Sequence, residues 1–392
     1  MTDQGVPSLV VFDLSVTRNS PAGSCVLSEL SGLHRCYDIT VFSDQCEIDE
    51  GVHWVRVPLP TGPVFLRYWI FQMLAMIKYI VWRVGNPAPD SIQSTQGQFL
   101  WSDVCYAHFC HGAYLRNQWK RSTAKGLRRV ARWMNHTYNA FVEQRAFAHA
   151  KKIVVPSRGL AKELATIYPE ITQKIEVIAN PVNLSQLSPP PNFDRIGVRN
   201  SLGFMPMNRI FSFLALGDFS RKGLDVVIEA LTLLSTEYLS HAHILVVGGQ
   251  TAEIREYQDK VSRAGLSKNF LFVGFQKDPR PYLWISDVFV FPSLYETFSL
   301  AIHEAAAAGL PVIVTQGLYG AEELVVESQN GWIVPRTAKG VCSAMRSALE
   351  LGDELAVMAH HAQDSVKRCG VPAFLARWGE LYAGLMKSRG SS

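Results

Sequence analysis

Two runs in which short β-branched segments alternate with helical ones, broken once by a proline-rich stretch, constrain this chain more than any other feature. The first run holds SLVVFD (Ser8–Asp13), YDITVF (Tyr37–Phe42), VHWVRV (Val52–Val57), SIQSTQ (Ser91–Gln96), DVCYAHF (Asp103–Phe109) and KKIVVPS (Lys151–Ser157). The second holds RIFSFLALG (Arg209–Gly217), HILVVGG (His243–Gly249), FLFVG (Phe270–Gly274), DVFVFPS (Asp287–Ser293) and PVIVT (Pro311–Thr315). Strands joined by helices make parallel sheets covered on both faces. Between the runs lies NPVNLSQLSPPPNF (Asn180–Phe193), whose three successive prolines suit neither a helix nor a central strand. The expected architecture is α/β, with one Rossmann-like domain over 1–182, a linker over 183–200 and a second such domain over 201–370.

Composition supports two cores. The chain has 392 residues, 48% apolar and 18% charged, which is too long for one core and too apolar for disorder. Seven scattered cysteines, an odd number, read as reduced thiols and a cytoplasmic protein. No charged segment precedes a signal-like apolar core at the N-terminus, since SLVVFD is only strand length. The net charge of +4 is unevenly spread: no acidic residue lies between Asp103 and Glu143, while Arg116, Lys120, Arg121, Lys125, Arg128, Arg129 and Arg132 all do.

VFLRYWIFQMLAMIKYIVWRV (Val64–Val84) has the length of a membrane span, about 20 residues. Lys78 near its centre would cost ~2.5–3.5 kcal/mol in hydrocarbon, and a span here would strand the first three β-segments from their sheet. The segment stands where a crossover helix is needed. Its excess apolarity also fits a helix resting on a membrane surface.

The strongest chemical signal is PSLYETFSLAIHEAAAAGLPVIVT (Pro292–Thr315), with Glu296 and Glu304 eight residues apart. The first is expected in the turn after a strand and the second about two turns into the next helix. Eight helical residues turn through about 800°, close to a whole number of turns. Free N–H groups at the helix start, after Thr297, attract an anion, and carboxylates accept hydrogen bonds from sugar or ribose hydroxyls. In LGDFSRKGLDVVIEAL (Leu216–Leu231), a helix is expected near Lys222, with Arg221 and Lys222 placed to grip phosphate. The chain has no Asp-x-Asp pair for magnesium, so cations and a helix N-terminus would have to neutralise a leaving diphosphate. No metal and no further cofactor is expected. G-x-G-x-x-G is absent as well, which sets nicotinamide binding aside.

These residues resemble the retaining glycosyltransferases of family 4, which have the GT-B fold: two Rossmann-like domains facing a central cleft, with a C-terminal helix crossing back to the first. The resemblance is strongest from Arg209 to Val334. The G-x-x-x-R-K-G spacing of Gly217–Gly223 is similar to that of the lipopolysaccharide core glucosyltransferases. It implies that Glu296 contacts the donor sugar, Glu304 the ribose, and Arg221 and Lys222 the diphosphate. The backbone of Thr297, Phe298 and Ser299 would approach sugar and phosphate, and the backbone of Phe275 would frame the base. Gly217 and Gly249 end strands where backbone approaches a nucleotide, ordinary turn glycines and a core aromatic being the alternative for these three. In NSPAGSCVLSEL (Asn19–Leu30) the family has a Gly-Gly pair near the donor phosphate; here Gly23 stands alone after Ala22. The family also implies that PAFLARWGELYAGLM (Pro372–Met386) packs on the first domain, with residues 371–392 forming that returning helix.

DVCYAHFCHGAYLR (Asp103–Arg116) places Cys105, His108, Cys110 and His111 close in sequence. On a strand, 105 and 111 face away from 108 and 110, which argues against a zinc site. The family often carries a histidine just past this strand near the reacting sugar; His111 is the first candidate and His108 the second, a buried structural histidine being the alternative for either. Arg121, Lys125 and Arg129, at i, i+4 and i+8 with Trp119 and Trp133 nearby, suit an anionic membrane surface better than nucleic acid.

The expected activity is transfer of a sugar from a nucleotide-diphosphate donor to a saccharide or lipid-linked acceptor, with retention, by a cytoplasmic protein able to rest on the inner face of the membrane. The competing readings are a nucleotide-sugar epimerase of the same fold and a non-catalytic, membrane-associated sugar-nucleotide-binding protein.

Overall fold

In the computed structural model, residues 6–48, 50–121 and 126–389 are described. They form two compact units: the chain up to Pro181 together with the stretch from Val371, and Val182–Gly370.

The first unit is built on a seven-stranded sheet. Its strands are β1 (Ser8–Phe12), β2 (Asp38–Ser43), β3 (Val52–Arg56), β4 (Ser91–Thr95), β5 (Val104–Tyr106), β6 (Lys152–Val155) and β7 (Ile175–Val177). They lie in the order β3-β2-β1-β4-β5-β6-β7, all parallel. The order reverses between β1 and β4, the switch point at which doubly wound sheets bind ligands. A two-residue parallel pair, Ser15–Val16 with Gln45–Cys46, extends the loops beyond β1 and β2.

Val64–Gly85 is the crossover helix between β3 and β4. Its Phe71 and Ala75 are buried in a cluster with Phe12, Phe42, Val57 and Phe99, and Phe12 stacks on Phe99 at 3.9 Å. Among the described residues no helix is long and apolar enough to cross a membrane.

The C-terminal helix, Val371–Arg389, belongs to the first unit. Trp378 and Tyr382 on it are fully buried, and Trp378 meets Tyr106 edge to face at 5.0 Å. Where this helix crosses Pro21–Leu33, a Cβ on Gly32 would lie 2.3 Å from Leu375. Beneath the crossing, buried Glu29 accepts a hydrogen bond from Gln93 Nε2 at 2.9 Å and lies 2.8 Å from the Tyr382 hydroxyl.

The second unit repeats the plan with six strands: β8 (Arg209–Ala215), β9 (Ala242–Gly248), β10 (Phe270–Gly274), β11 (Val288–Phe291), β12 (Val312–Thr315) and β13 (Gly331–Val334). The order is β10-β9-β8-β11-β12-β13, again parallel. The proline-rich stretch after Asn180 is pinned to this unit. It contains a helical turn, Leu184–Leu187, and Trp284 Nε1 donates to the Leu187 carbonyl at 2.6 Å. Beyond it, Asp287 accepts from Arg195 at 2.7 Å, from Arg199 at 2.5 Å and from the Ile210 N–H at 2.8 Å, fastening the helix Arg195–Ser201 to the start of β8.

Candidate functional site

The loops at the carboxyl ends of β8 and β11, neighbouring strands, carry the residues singled out by sequence. β8 ends at Ala215, two residues before Gly217, because the chain turns out of the sheet at Leu216. Asp218 adopts a left-handed conformation, φ 58°. A four-residue helix, Phe219–Lys222, follows, with its first N–H donated to Glu253 Oε1 at 2.6 Å. The helix expected to begin near Lys222 instead ends there. Gly223, at φ 93°, stops it, and a new helix runs from Leu224 to Leu231. A Cβ at Gly223 would sit 2.1 Å from the Pro292 carbonyl, so the two loops meet backbone to backbone.

That approach brings both cations onto one carboxylate. Lys222 Nζ lies 2.5 Å from Glu296 Oε1 and Arg221 Nη1 lies 3.6 Å from the same oxygen. Ser293 Oγ donates to it at 2.8 Å. Arg221 is steadied by the Asp218 carboxylate at 2.9 Å and the Tyr295 carbonyl at 3.1 Å. Burial holds the Lys222 ammonium below the usual lysine range, and the Glu296 charge opposes that shift. Two cations and an acceptor-only carboxylate in one half-buried cluster can bind a phosphate and a hydroxyl side by side.

Glu296 is in the loop, and the following helix is Leu300–Ala307 with Ser299 as its N-cap. Glu304 therefore sits just over one turn into the helix, not two, and the whole-turn reckoning does not connect the two glutamates. Ser299 is left-handed, φ 66°, a strained conformation for a residue with a side chain. Among the described residues the N–H groups of Phe298 and Ser299 have no partner. The Phe298 ring is core, stacked on His303 at 3.9 Å, so only its backbone is available to a ligand. The Glu304 carboxyl has no hydrogen-bond or ion-pair partner among the described residues, and burial raises it above the usual range. Gly249 lies just past β9, which ends at Gly248. Exposed Phe275 follows β10, and exposed Leu216, which the sequence reading passed over, follows β8. The three mark the same edge of the sheet.

In the first unit the outcome is more mixed. The helix expected around Gly23 begins at Pro21, and the Gly23 N–H donates to Ser20 Oγ at 3.2 Å. A Cβ there would stand 1.8 Å from the Ser15 carbonyl. Glycine is required here by packing, and its N–H is already engaged rather than free for a phosphate.

β5 ends at Tyr106, so His111 does not close a strand; it opens a short helix, His111–Ala113. The chain is drawn out of the sheet by Gln96, whose Oε1 accepts from the N–H groups of His108 and Phe109 at 2.9 and 3.1 Å. The alternating-face argument against zinc therefore fails beyond Tyr106. Even so, no three His, Cys, Asp or Glu side chains gather as a metal site among the described residues.

His111 Nδ1 faces His136 Nδ1 at 2.9 Å, one nitrogen donating and the other accepting. Burial, reinforced by His136, lowers His111 to about 3; burial and Arg132 lower His136 to about 4. Both rings are neutral near pH 7. Glu143 accepts from the N–H groups of His111 and Gly112 at 3.0 and 2.8 Å and from Tyr168 at 2.8 Å. Burial, outweighing these hydrogen bonds, pushes it to about 7. His108 is half-buried against Tyr106, and among the described residues its Nε2 has no partner. Neither His136 nor Glu143 drew notice in the sequence, since each is a lone residue distant from the motif it holds.

Two doubly wound parallel sheets, with a cation-and-carboxylate cluster on the carboxyl-end loops of the second, define the GT-B class. Residues 23–186 match the profile described as Glycosyltransferase Family 4, and residues 210–350 that described as Glycosyl transferases group 1. The chain belongs to the GT-B glycosyltransferases and is similar to the lipopolysaccharide core glucosyltransferase. Lipopolysaccharide glucosyltransferase WaaG of Escherichia coli is 30% identical over 134 residues, 34% of this chain and 35% of that protein. A crystal structure of WaaG superposes with a TM-score of 0.77 at 17% identity, covering 96% of this chain and 100% of that one. D-inositol 3-phosphate glycosyltransferase of Jonesia denitrificans is 28% identical over 234 residues, 56% of this chain and 55% of that protein. Anabaena HepE, crystallised with UDP and glucose, superposes with a TM-score of 0.71 at 17% identity, covering 96% and 99% of the two chains. The chain spans about half the length of the curated relatives that head this comparison.

Proposed function

We propose that the protein transfers a sugar from a nucleotide-diphosphate donor to a hydroxyl of a saccharide or lipid-linked acceptor, retaining the anomeric configuration and needing no metal. The observation that carries this is the convergence of Arg221 and Lys222 on Glu296. The bond from the anomeric carbon to the diphosphate oxygen breaks as the bond to the acceptor oxygen forms. Negative charge then grows on the diphosphate, where Arg221, Lys222 and the N–H groups of Phe298 and Ser299 stabilise it. The acceptor proton passes to the leaving phosphate oxygen on the face it vacates, so no carboxylate nucleophile is required. Glu296 turns from the cations to the sugar hydroxyls, and Glu304, unpaired and half-buried, accepts from the ribose. The first unit, with His111 on its carboxyl-end loop, receives the acceptor. The presence of UDP and glucose in the structurally similar Anabaena HepE supports the donor class.

The surface of the first unit supports the reading of a membrane-bound location. The crossover helix turns Trp69, Met73, Ile77, Ile80, Val81 and Val84 outward at helical spacing, all 47% or more exposed. The helix Gly126–His149 turns out Leu127, Val130, Trp133 and Met134 beside Arg129. Lys125 of the basic stretch lies outside the described residues. Apolar stripes edged with cations suit an anionic bilayer surface, which supports a peripheral position on the cytoplasmic face of a membrane and a lipid-linked acceptor.

The test is a panel of nucleotide sugars, screened first for thermal stabilisation and then for transfer in excess EDTA, with the product anomer read by NMR. Retention without metal is expected; inversion, strict metal dependence or donor turnover lacking any acceptor would overturn the proposal.

A further inference from the structure

We infer that Arg336 is a positioning residue for the donor diphosphate, joining the loop of Arg221 and Lys222 to the loop of Glu296. This rests on the donor-site reading above. Arg336 lies two residues past β13, outside both loops and outside every motif read from the sequence. Its Nε donates to the Pro292 carbonyl at 3.0 Å and its Nη2 to the Ser220 carbonyl at 3.1 Å. Ser220 immediately precedes Arg221, and Pro292 opens the loop that carries Ser293 and Glu296.

The planar guanidinium holds two donors in one rigid fork, whereas a lysine ammonium is a point charge on a flexible stem. Arg336 thus fixes a distance between two backbones and does more than supply charge. The same Pro292 carbonyl is the atom that a Cβ on Gly223 would strike, so the clamp acts where the loops are closest. Leu294 N donates to the Arg221 carbonyl at 2.8 Å, closing the joint from the other side. The position of both cations relative to Glu296, and hence to a diphosphate replacing it, is set by this joint. Misplacement of such groups by ~1 Å is enough to cost about 100-fold in rate.

The experiment measures affinity by calorimetry for inorganic pyrophosphate and for the tightest binder among UDP, GDP, ADP and dTDP. Wild type, R336A and R336K are compared, with donor KM and kcat determined for each and unfolding midpoints recorded. R336A is expected to bind both ligands about tenfold more weakly and to lose kcat. R336K, keeping the charge but not the fork, is expected to fall at least about threefold. Added guanidinium ion should restore part of the affinity in R336A and none in wild type. A folded R336A with wild-type affinity and kcat overturns the inference. Should R336A not fold, wild-type values in R336K overturn it equally. Wild type that binds none of these ligands overturns instead the donor-site reading on which the inference depends.

Discussion

Replacing Lys222 by alanine removes the closest cation from Glu296 and, in the proposed reaction, one of two charges facing the leaving group. The magnitude follows from the contact. The ammonium lies 2.5 Å from the carboxylate, the two side chains being only 17% and 12% exposed. A hydrogen bond to a charged group in such a setting is worth ~1.5–3 kcal/mol. At about 1.4 kcal/mol per factor of ten, kcat/KM for the donor should fall roughly 10- to 150-fold. Stability should suffer less than the ~3–5 kcal/mol expected when one partner of a buried pair is removed. Glu296 keeps the Ser293 hydroxyl at 2.8 Å and Arg221 at 3.6 Å, so a loss of ~1–2 kcal/mol is expected. Initial rates over a range of donor concentration, beside a thermal unfolding curve, separate the two effects. A folded Lys222→Ala variant with kcat/KM within about threefold of wild type would refute the assignment of Lys222 to the leaving group.

Three further outcomes are expected. Glu29 is buried and lifted to about 8, chiefly by desolvation; a single Tyr382 hydroxyl proton cannot serve both Glu29 and Gln93, so a protonated Glu29 completes the ring by donating to Tyr382. Its folded pKa lies above the unfolded one, so this stability is complete below about pH 4.5 and declines as pH rises to about 8, by ~5 kcal/mol at most. Denaturant titrations should show Glu29→Gln flattening that decline, and an unchanged slope would contradict it. Gly223→Ala, facing a positive φ and the Pro292 carbonyl at once, should cost on the order of 2–4 kcal/mol and donor binding with it; wild-type behaviour in urea and in donor titration would remove the close-approach argument. Alanine at Arg129 and Arg132 should weaken sedimentation with phosphatidylglycerol vesicles, most visibly at low salt. Equal sedimentation with phosphatidylcholine, or no change in the variant, would count against the membrane surface.

Much of the architecture was legible because buried parallel strands are written as β-branched runs: LVVF in β1 and ILVV in β9 need no context. β7 and β13 were missed for the opposite reason. Ile175–Val177 carries a glutamate at its centre, and Gly331–Val334 opens on a glycine packed against Val312. DVCYAHF read as a seven-residue strand, yet only Val104–Tyr106 pair, since the Gln96 side chain captures the next backbone N–H groups. That is a tertiary contact no local pattern reports. The cation-and-carboxylate cluster was legible from two compact motifs, although 74 residues separate Lys222 from Glu296. Arg336, His136 and Glu143 were not legible, because each acts on a motif through the fold from a position where its residue type is ordinary.

The most direct measurement is a crystal structure with a nucleoside diphosphate or an unreactive nucleotide sugar bound. The account predicts diphosphate oxygens within about 3.5 Å of both the Arg221 guanidinium and the Lys222 ammonium, with Glu296 released from Lys222 toward the sugar. A diphosphate seated elsewhere, with the Lys222–Glu296 pair intact, would contradict it.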